Sequence, residues 1–267
     1  MIVAGAAVQG TAHLAHAQGC QDAFKVVDLG AAAVLAVADG AGGRQRSALG
    51  AHIAVDAACR ILAQDVPDAA DAPEAWTGWI ATAGARVVEG YRRAVEGVLS
   101  AVAGPSEPVD AGALAATLAA AVVRPPWVAF LAVGDCFGTV LTHEPAGPDE
   151  RCHLVLPPPP PGATETVFLS SPGAGLRLRS FALWEPRLSG VVLATDGCAA
   201  LTLDHPSVHE LPPHAGPLPA EQFFCGLAAT LRANGGDAAD LRALLSGPGA
   251  ARTGDDLTVV CALTEGS

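Results

Sequence analysis

The chain has 267 residues, 51% of them hydrophobic, and a formal net charge of −12. An acidic chain without basic clusters argues against nucleic acid or an anionic membrane as the main partner. Its seven scattered cysteines form no C-x-x-C pair, which argues against a disulfide framework or a thiolate zinc site and for a cytoplasmic location.

The N-terminus lacks the basic region of a signal peptide, and the uncharged run Ala111–Val123 is short for a membrane span, so a soluble protein is expected. Ile2–Val8 reads as a strand, Gln9–Gln21 as a polar turn region carrying His13, His16 and Cys20, and Phe24–Leu29 as a second strand. Ala31–Ala38 is a third, and the glycine between the last two predicts a hairpin. Ser47 is placed to cap a helix to about Gln64, with Leu49, Ile53, Ala57 and Ile61 on its buried face. After the linker Asp65–Pro73 a second helix is expected over about Glu74 to Ala101. Its core stripe is Trp76, Ile80, Ala83, Val87, Tyr91, Val95 and Leu99.

Beyond the loop Gly104–Asp110 the pattern changes to strands: Leu114–Val123, Trp127–Val133, Phe137–Thr142 and Cys152–Leu156. The prolines Pro157–Pro161 permit neither helix nor strand and read as a stiff surface loop. Thr164–Ser170, Leu176–Leu183 and Val191–Thr195 are further strand candidates, and Leu201–Pro219 reads as irregular. Helices are expected at Ala220–Ala233 and Asp237–Leu245, with a closing strand at Leu257–Leu263. Blocks of strands and helices, without regular alternation, predict an α+β fold with antiparallel sheets flanked by helices.

Within Val34–Gly43, a strand of small and apolar residues runs into Asp39 and then Gly40, Gly42 and Gly43. Alone this reads as a strand and a turn. Asp135, Asp196 and Asp255 repeat the pattern, each beside a glycine and at the end of an apolar strand. Packed carboxylates repel, so four such ends imply that they meet around a cation. Oxygen ligands without histidine or cysteine favour Mg2+ or Mn2+ over Zn2+.

The ordered motifs extend from Cys20-Gln21-Asp22-Ala23 through Val37–Gly43 and Ser47-x-x-Gly50-Ala51 to Ala116-Thr117-Leu118. They continue with Ala132–Asp135, Leu193–Gly197 and Gly254–Thr258. In this set the chain resembles the metal-dependent protein phosphatases of type 2C. The resemblance implies a four-layer α/β/β/α sandwich, a single domain over residues 1–267, and a binuclear Mn2+ or Mg2+ site. Asp39 would bridge the two ions and serve catalysis, the Gly40 carbonyl would contact one ion, and Asp196 and Asp255 would complete the other's ligands. Asp22 would act through water, and Asp135 would hold a third, weaker ion. A metal-activated water would hydrolyse phosphoserine or phosphothreonine in proteins, with a serine/threonine kinase as a cognate partner.

Three positions depart from the family. The phosphate-gripping arginine is missing from Gly10–His16, where His13 either takes its role as a hydrogen-bond donor or is a loop histidine. Gln21 stands where many members have glutamate, and Ala41 where some have a histidine general acid. Arg44 and Arg46 follow the glycines, either as positive charge near the site or as surface arginines at a helix start. The alternative function is a weak or inactive relative that binds a phosphoprotein or regulates a kinase; a small phosphate ester is an alternative substrate. Retention of Asp39, Asp196 and Asp255 favours catalysis.

Overall fold

The computed structural model describes residues 1–44, 46–102, 110–144, 150–159 and 166–264. The first half contains β1 (Ile2–Val8), α1 (Thr11–Ala15), β2 (Ala23–Asp28), β3 (Ala33–Ala38), α2 (Ser47–Leu62) and α3 (Pro73–Val102). Next come β4 (Leu118–Arg124), β5 (Trp127–Val133), β6 (Phe137–His143), β7 (Glu150–Leu156), β8 (Arg179–Trp184) and β9 (Leu188–Ala194). The chain closes with α4 (Ala199–Thr202), β10 (Leu203–Asp204), β11 (Leu218–Pro219), α5 (Glu221–Ala233), α6 (Ala239–Leu245) and β12 (Leu257–Leu263).

Two five-stranded sheets result, ordered β1-β12-β9-β6-β7 and β2-β3-β4-β5-β8, with antiparallel neighbours throughout. Their central strands are apolar on both faces because both faces are covered. Along β3, Ala33, Leu35 and Val37 point between the sheets, where they meet Val191, Leu193, Val260 and Ala262. Val34, Ala36 and Ala38 point the other way, into the layer formed by α2 and α3. β12 divides in the same manner, with Val259, Cys261 and Leu263 packed with Phe224 and Leu231 of α5 and Leu241 of α6. This is the expected four-layer α/β/β/α sandwich. Among the described residues no helix is long and apolar enough to cross a membrane.

The stripe expected on α3 is buried throughout, and Trp76 stacks on Trp127 with ring centroids 5.5 Å apart. α2 differs from expectation. Leu49 is exposed, and the buried face is made by Gly50, Ala51, Ala54, Val55, Ala57, Ala58 and Leu62. Small residues let the helix sit close to its sheet, with Val55 and Leu62 among them and Ile53 and Ile61 packed at the edge of the same core. Ser47 makes no capping bond: its hydroxyl donates to the Gln21 side chain and to the Arg44 carbonyl.

Other boundaries also move. The strand expected from Leu114 begins at Leu118, after a 3-10 turn over Ala111–Leu114 whose Gly112 amide is capped by Asp110 at 2.8 Å. The polar region after β1 contains the one-turn helix α1, and the irregular segment 201–219 contains the small β10–β11 ribbon. Of the strand expected at Thr164–Ser170, residues 164 and 165 lie outside the described residues, as do Pro160 and Pro161. The remainder forms no strand and turns at Leu169, joined to the rest of the fold by the Leu169 amide, which donates to the Ala116 carbonyl, and by the Thr166 hydroxyl, which donates to Asp135.

Tyr91 is fully buried and its hydroxyl donates to the Leu114 carbonyl. Tyr91→Phe should lower stability by about 1–3 kcal/mol through the orphaned carbonyl. Urea denaturation with an unchanged m-value would register the loss; an unaltered midpoint would refute it.

Candidate active site

Strand pairing explains how distant carboxylates meet. β2 and β3 pair with Ala23 opposite Ala38, so the residues just outside that pair, Asp22 and Asp39, emerge side by side. In the other sheet β9 pairs with β12, Val259 opposite Ala194, and the next residues, Thr195 and Thr258, remain joined by a 3.1 Å backbone bond. Asp196 and Asp255 therefore leave from the end of that pair. Asp135 lies in the connection that carries the chain from β5 in one sheet to β6 in the other. The Thr195 hydroxyl ties the two sheets together, donating to Asp22 Oδ2 at 2.7 Å and accepting from the Thr258 amide at 3.1 Å.

The backbone at Asp39 is clamped on both sides. Its carbonyl accepts from the Thr117 amide at 2.8 Å, its amide donates to Thr117 Oγ1 at 3.1 Å, and the Gly40 amide donates to the Gln21 carbonyl at 3.1 Å. A Cβ at Gly40 would stand 2.6 Å from the Ser47 backbone, so only glycine fits where the strand end passes the start of α2. Gly197 is comparably enclosed, with the Asp256 carbonyl 2.1 Å from where its Cβ would be.

The carboxylates sense one another. Burial, then the charges of Asp22 and Asp196, pushes Asp39 far above the ordinary carboxylate range, and Asp255 adds to the effect. Asp22, 5% exposed, is also raised, chiefly by burial, against the opposing hydrogen bond from Thr195. Asp196 is raised to about 6 by burial and by the charges of Asp135 and Asp255. Among the described residues no three His, Cys, Asp or Glu side chains stand as a ready ion cage. The donor set nevertheless suits a hard cation: the groups are all oxygen, their charges oppose one another, and Asp135 Oδ1 is buried without a hydrogen-bond partner. Asp135 Oδ2 accepts from the Thr166 hydroxyl at 2.8 Å.

The departures each have a structural setting. Gln21 is 7% exposed, its side chain accepting from Ser47 Oγ at 3.0 Å. Ala41 is buried and presents no proton donor. Arg44 and Arg46 are exposed at the start of α2. His13, on α1, places Nδ1 2.9 Å from Asp256 Oδ1. Cys136 and Cys198 are fully buried, and burial pushes both thiols well up, as expected of packing cysteines.

Asp256 and Thr195 are the residues that sequence reasoning missed. A signal for Asp256 exists: the second acid of Asp255-Asp256 opens a wholly buried strand, and a carboxylate there needs donors. Nothing local marks Thr195, whose partners are contributed by β2 and β12.

Groups whose native pKa is raised bind more protons folded than unfolded, so they favour folding at low pH and lose that contribution as pH rises. Without bound metal, the protein should therefore lose stability from about pH 4, the ordinary carboxylate value, through the folded values of about 6 for Asp196 and about 7 for Asp22. Asp39→Asn should raise the Tm of the chelated protein by roughly 2–6 °C near neutral pH and flatten this loss. Parallel melting of both proteins in chelator, giving equal slopes and equal Tm, would contradict the electrostatic account.

The family model described as protein phosphatase 2C matches residues 9–246. No curated protein matches the sequence. Among solved structures, the fold is similar to that of the serine/threonine phosphatase Stp1 from Staphylococcus aureus, at 12% identity and TM-score 0.57 over 100% of this chain and 96% of that one. The serine-threonine phosphatase 2C from Toxoplasma gondii has 15% identity and TM-score 0.57, over 98% and 94% of the two chains. PppA of Pseudomonas aeruginosa, a key regulatory component of T6SS, has 20% identity and TM-score 0.53, over 98% and 97%. The chain therefore belongs to the protein phosphatase 2C family and is an enzyme of the serine/threonine phosphatase class.

Proposed function

We propose that this chain, acting as one domain over residues 1–267, hydrolyses phosphoserine and phosphothreonine in proteins at a site for two Mn2+ or Mg2+ ions. The observation that carries this reading is the shared electrostatic neighbourhood of Asp22, Asp39, Asp196 and Asp255, delivered by two strand pairs in opposing sheets. Asp39, Asp196, Asp255 and the Gly40 carbonyl would hold the ions, Asp22 would act through water, and Asp135 would hold a third. When bound, such ions supply Lewis acidity for water attack and positive charge for the phosphoryl oxygens.

The protein's own contribution is placement. Thr195 and Thr117 orient Asp22 and the Asp39 backbone, and Gly40 leaves its carbonyl unshielded by a side chain. His13 would donate a hydrogen bond to the substrate phosphate in place of the missing arginine. Because Ala41 carries no proton, the leaving alkoxide would be protonated by solvent. The seven free thiols agree with a reducing cytoplasm, where a serine/threonine kinase would supply the phosphorylated partner.

Asp39→Asn should lower kcat by roughly a thousandfold or more with Mn2+ and p-nitrophenyl phosphate. Chelation should likewise silence the wild type, and Mn2+ should restore it; turnover near wild type in either experiment would sink the metal assignment. For His13, KM for a phosphothreonine peptide measured across about pH 6–8 should differ in profile between wild type and His13→Ala. Identical profiles would remove His13 from phosphate binding.

A further inference from the structure

Asp256 is 2% exposed and stands beside the cluster proposed to hold the ions. Its oxygens are engaged separately. Oδ1 accepts from the Gly10 amide at 2.6 Å and Oδ2 from the Gln21 amide at 2.6 Å. These amides are the two ends of the segment that contains α1 and leads into Asp22. His13 Nδ1 lies 2.9 Å from Oδ1, at ion-pair distance though off the hydrogen-bonding direction.

The helix in this segment has little of its own to hold it. α1 is five residues long, has no buried residue and no side-chain cap. One turn of helix is unstable alone. Gln21 is also held from the side of β3 and α2, by the Gly40 amide at its carbonyl (3.1 Å) and by Ser47 Oγ at its side chain (3.0 Å). The Gln9 side chain donates to the Gln18 carbonyl. α1 itself is tied to the stretch before Asp256, the Ala12 amide donating to the Gly254 carbonyl at 2.9 Å and Thr11 Oγ1 to the Ala251 carbonyl at 3.1 Å. The partners of α1 and of the Gly10 and Gln21 amides lie between Ala251 and Asp256, the stretch that includes Asp255.

We propose that Asp256 is a positioning residue of the phosphatase site. It closes the segment from Gly10 to Gln21 onto the turn that carries Asp255, seats His13 for the substrate phosphate, and fixes Asp22 at the segment's exit. A carboxylate is required because two amide donors approach different oxygens. A carboxamide has one acceptor and would set its NH2 against the second amide. The part concerning His13 rests on the phosphatase reading above; the closure of the segment does not.

The experiment combines amide hydrogen exchange with steady-state kinetics on a phosphothreonine peptide with Mn2+, for wild type, Asp256→Asn, His13→Ala and the double variant. Asp256→Asn should speed exchange at Gly10 and Gln21 by roughly tenfold or more while β3 and β12 keep their protection. It should raise KM about tenfold with a smaller change in kcat. His13→Ala should raise KM to a similar extent and leave exchange unchanged. The double variant should be no worse than Asp256→Asn alone, because both changes remove the same seated imidazole. Unaltered exchange in Asp256→Asn, or KM effects that simply multiply, would overturn the proposal. Should Asp256→Asn fail to fold, fast exchange of Gly10 and Gln21 in the wild type would overturn it equally, and protection at both would support it. A wild type that cleaves no phosphopeptide would defeat the phosphatase reading, while the exchange result would still decide the closure.

Discussion

Carboxyl groups held together away from bulk water repel one another, and the organisation of this protein around Asp39 depends on containing that repulsion. Asp39, Asp22 and Asp196 all have their ionisation suppressed by burial before any neighbour acts, and each neighbouring charge adds to the effect. A cluster of this kind costs stability in the absence of a counter-charge. The offset comes from apolar packing on both faces of each sheet. Rigid strand ends then keep the acids from moving apart.

The containment uses polar bonds that cross between layers. Thr195 belongs to the sheet of β9 and β12, yet its hydroxyl donates to Asp22 at the head of β2. Asp256 immediately precedes β12 of that sheet and binds the Gly10 and Gln21 amides on either side of α1. Buried groups of this type are satisfied individually, which is the condition under which they add specificity without a large penalty. The same principle accounts for Thr117, which bonds both the amide and the carbonyl of Asp39.

Small side chains make the close approach possible. β4 reads Leu-Ala-Ala-Ala-Val-Val-Arg, and the buried face of α2 consists largely of alanine and glycine. The face expected from the four-residue recurrence of Leu49, Ile53, Ala57 and Ile61 is only partly the buried one, since Ala57 is buried, Ile53 and Ile61 are half-buried and Leu49 is exposed. Where helix and sheet approach closely, the smaller residues take the interface. On α3 size and burial coincide, so Trp76, Tyr91 and Leu99 were legible directly from spacing.

The sequence by itself determined which segments become buried strands, the long amphipathic α3, and the four acids Asp39, Asp135, Asp196 and Asp255 that end or interrupt those strands. These features are local: period, chain-breaking glycine and a charge after an apolar run can all be read within a short window. Only the tertiary structure decided that β2/β3 and β9/β12 lie in opposing sheets with their ends together, that Gln21 serves Ser47 and Gly40, and that Asp256 carries the N-terminal segment. Gly10 and Asp256 are 246 positions apart, and their hydrogen bond is set by the packing of whole layers. No local pattern encodes such a partner, because the bond forms only when the fold has excluded water from both ends.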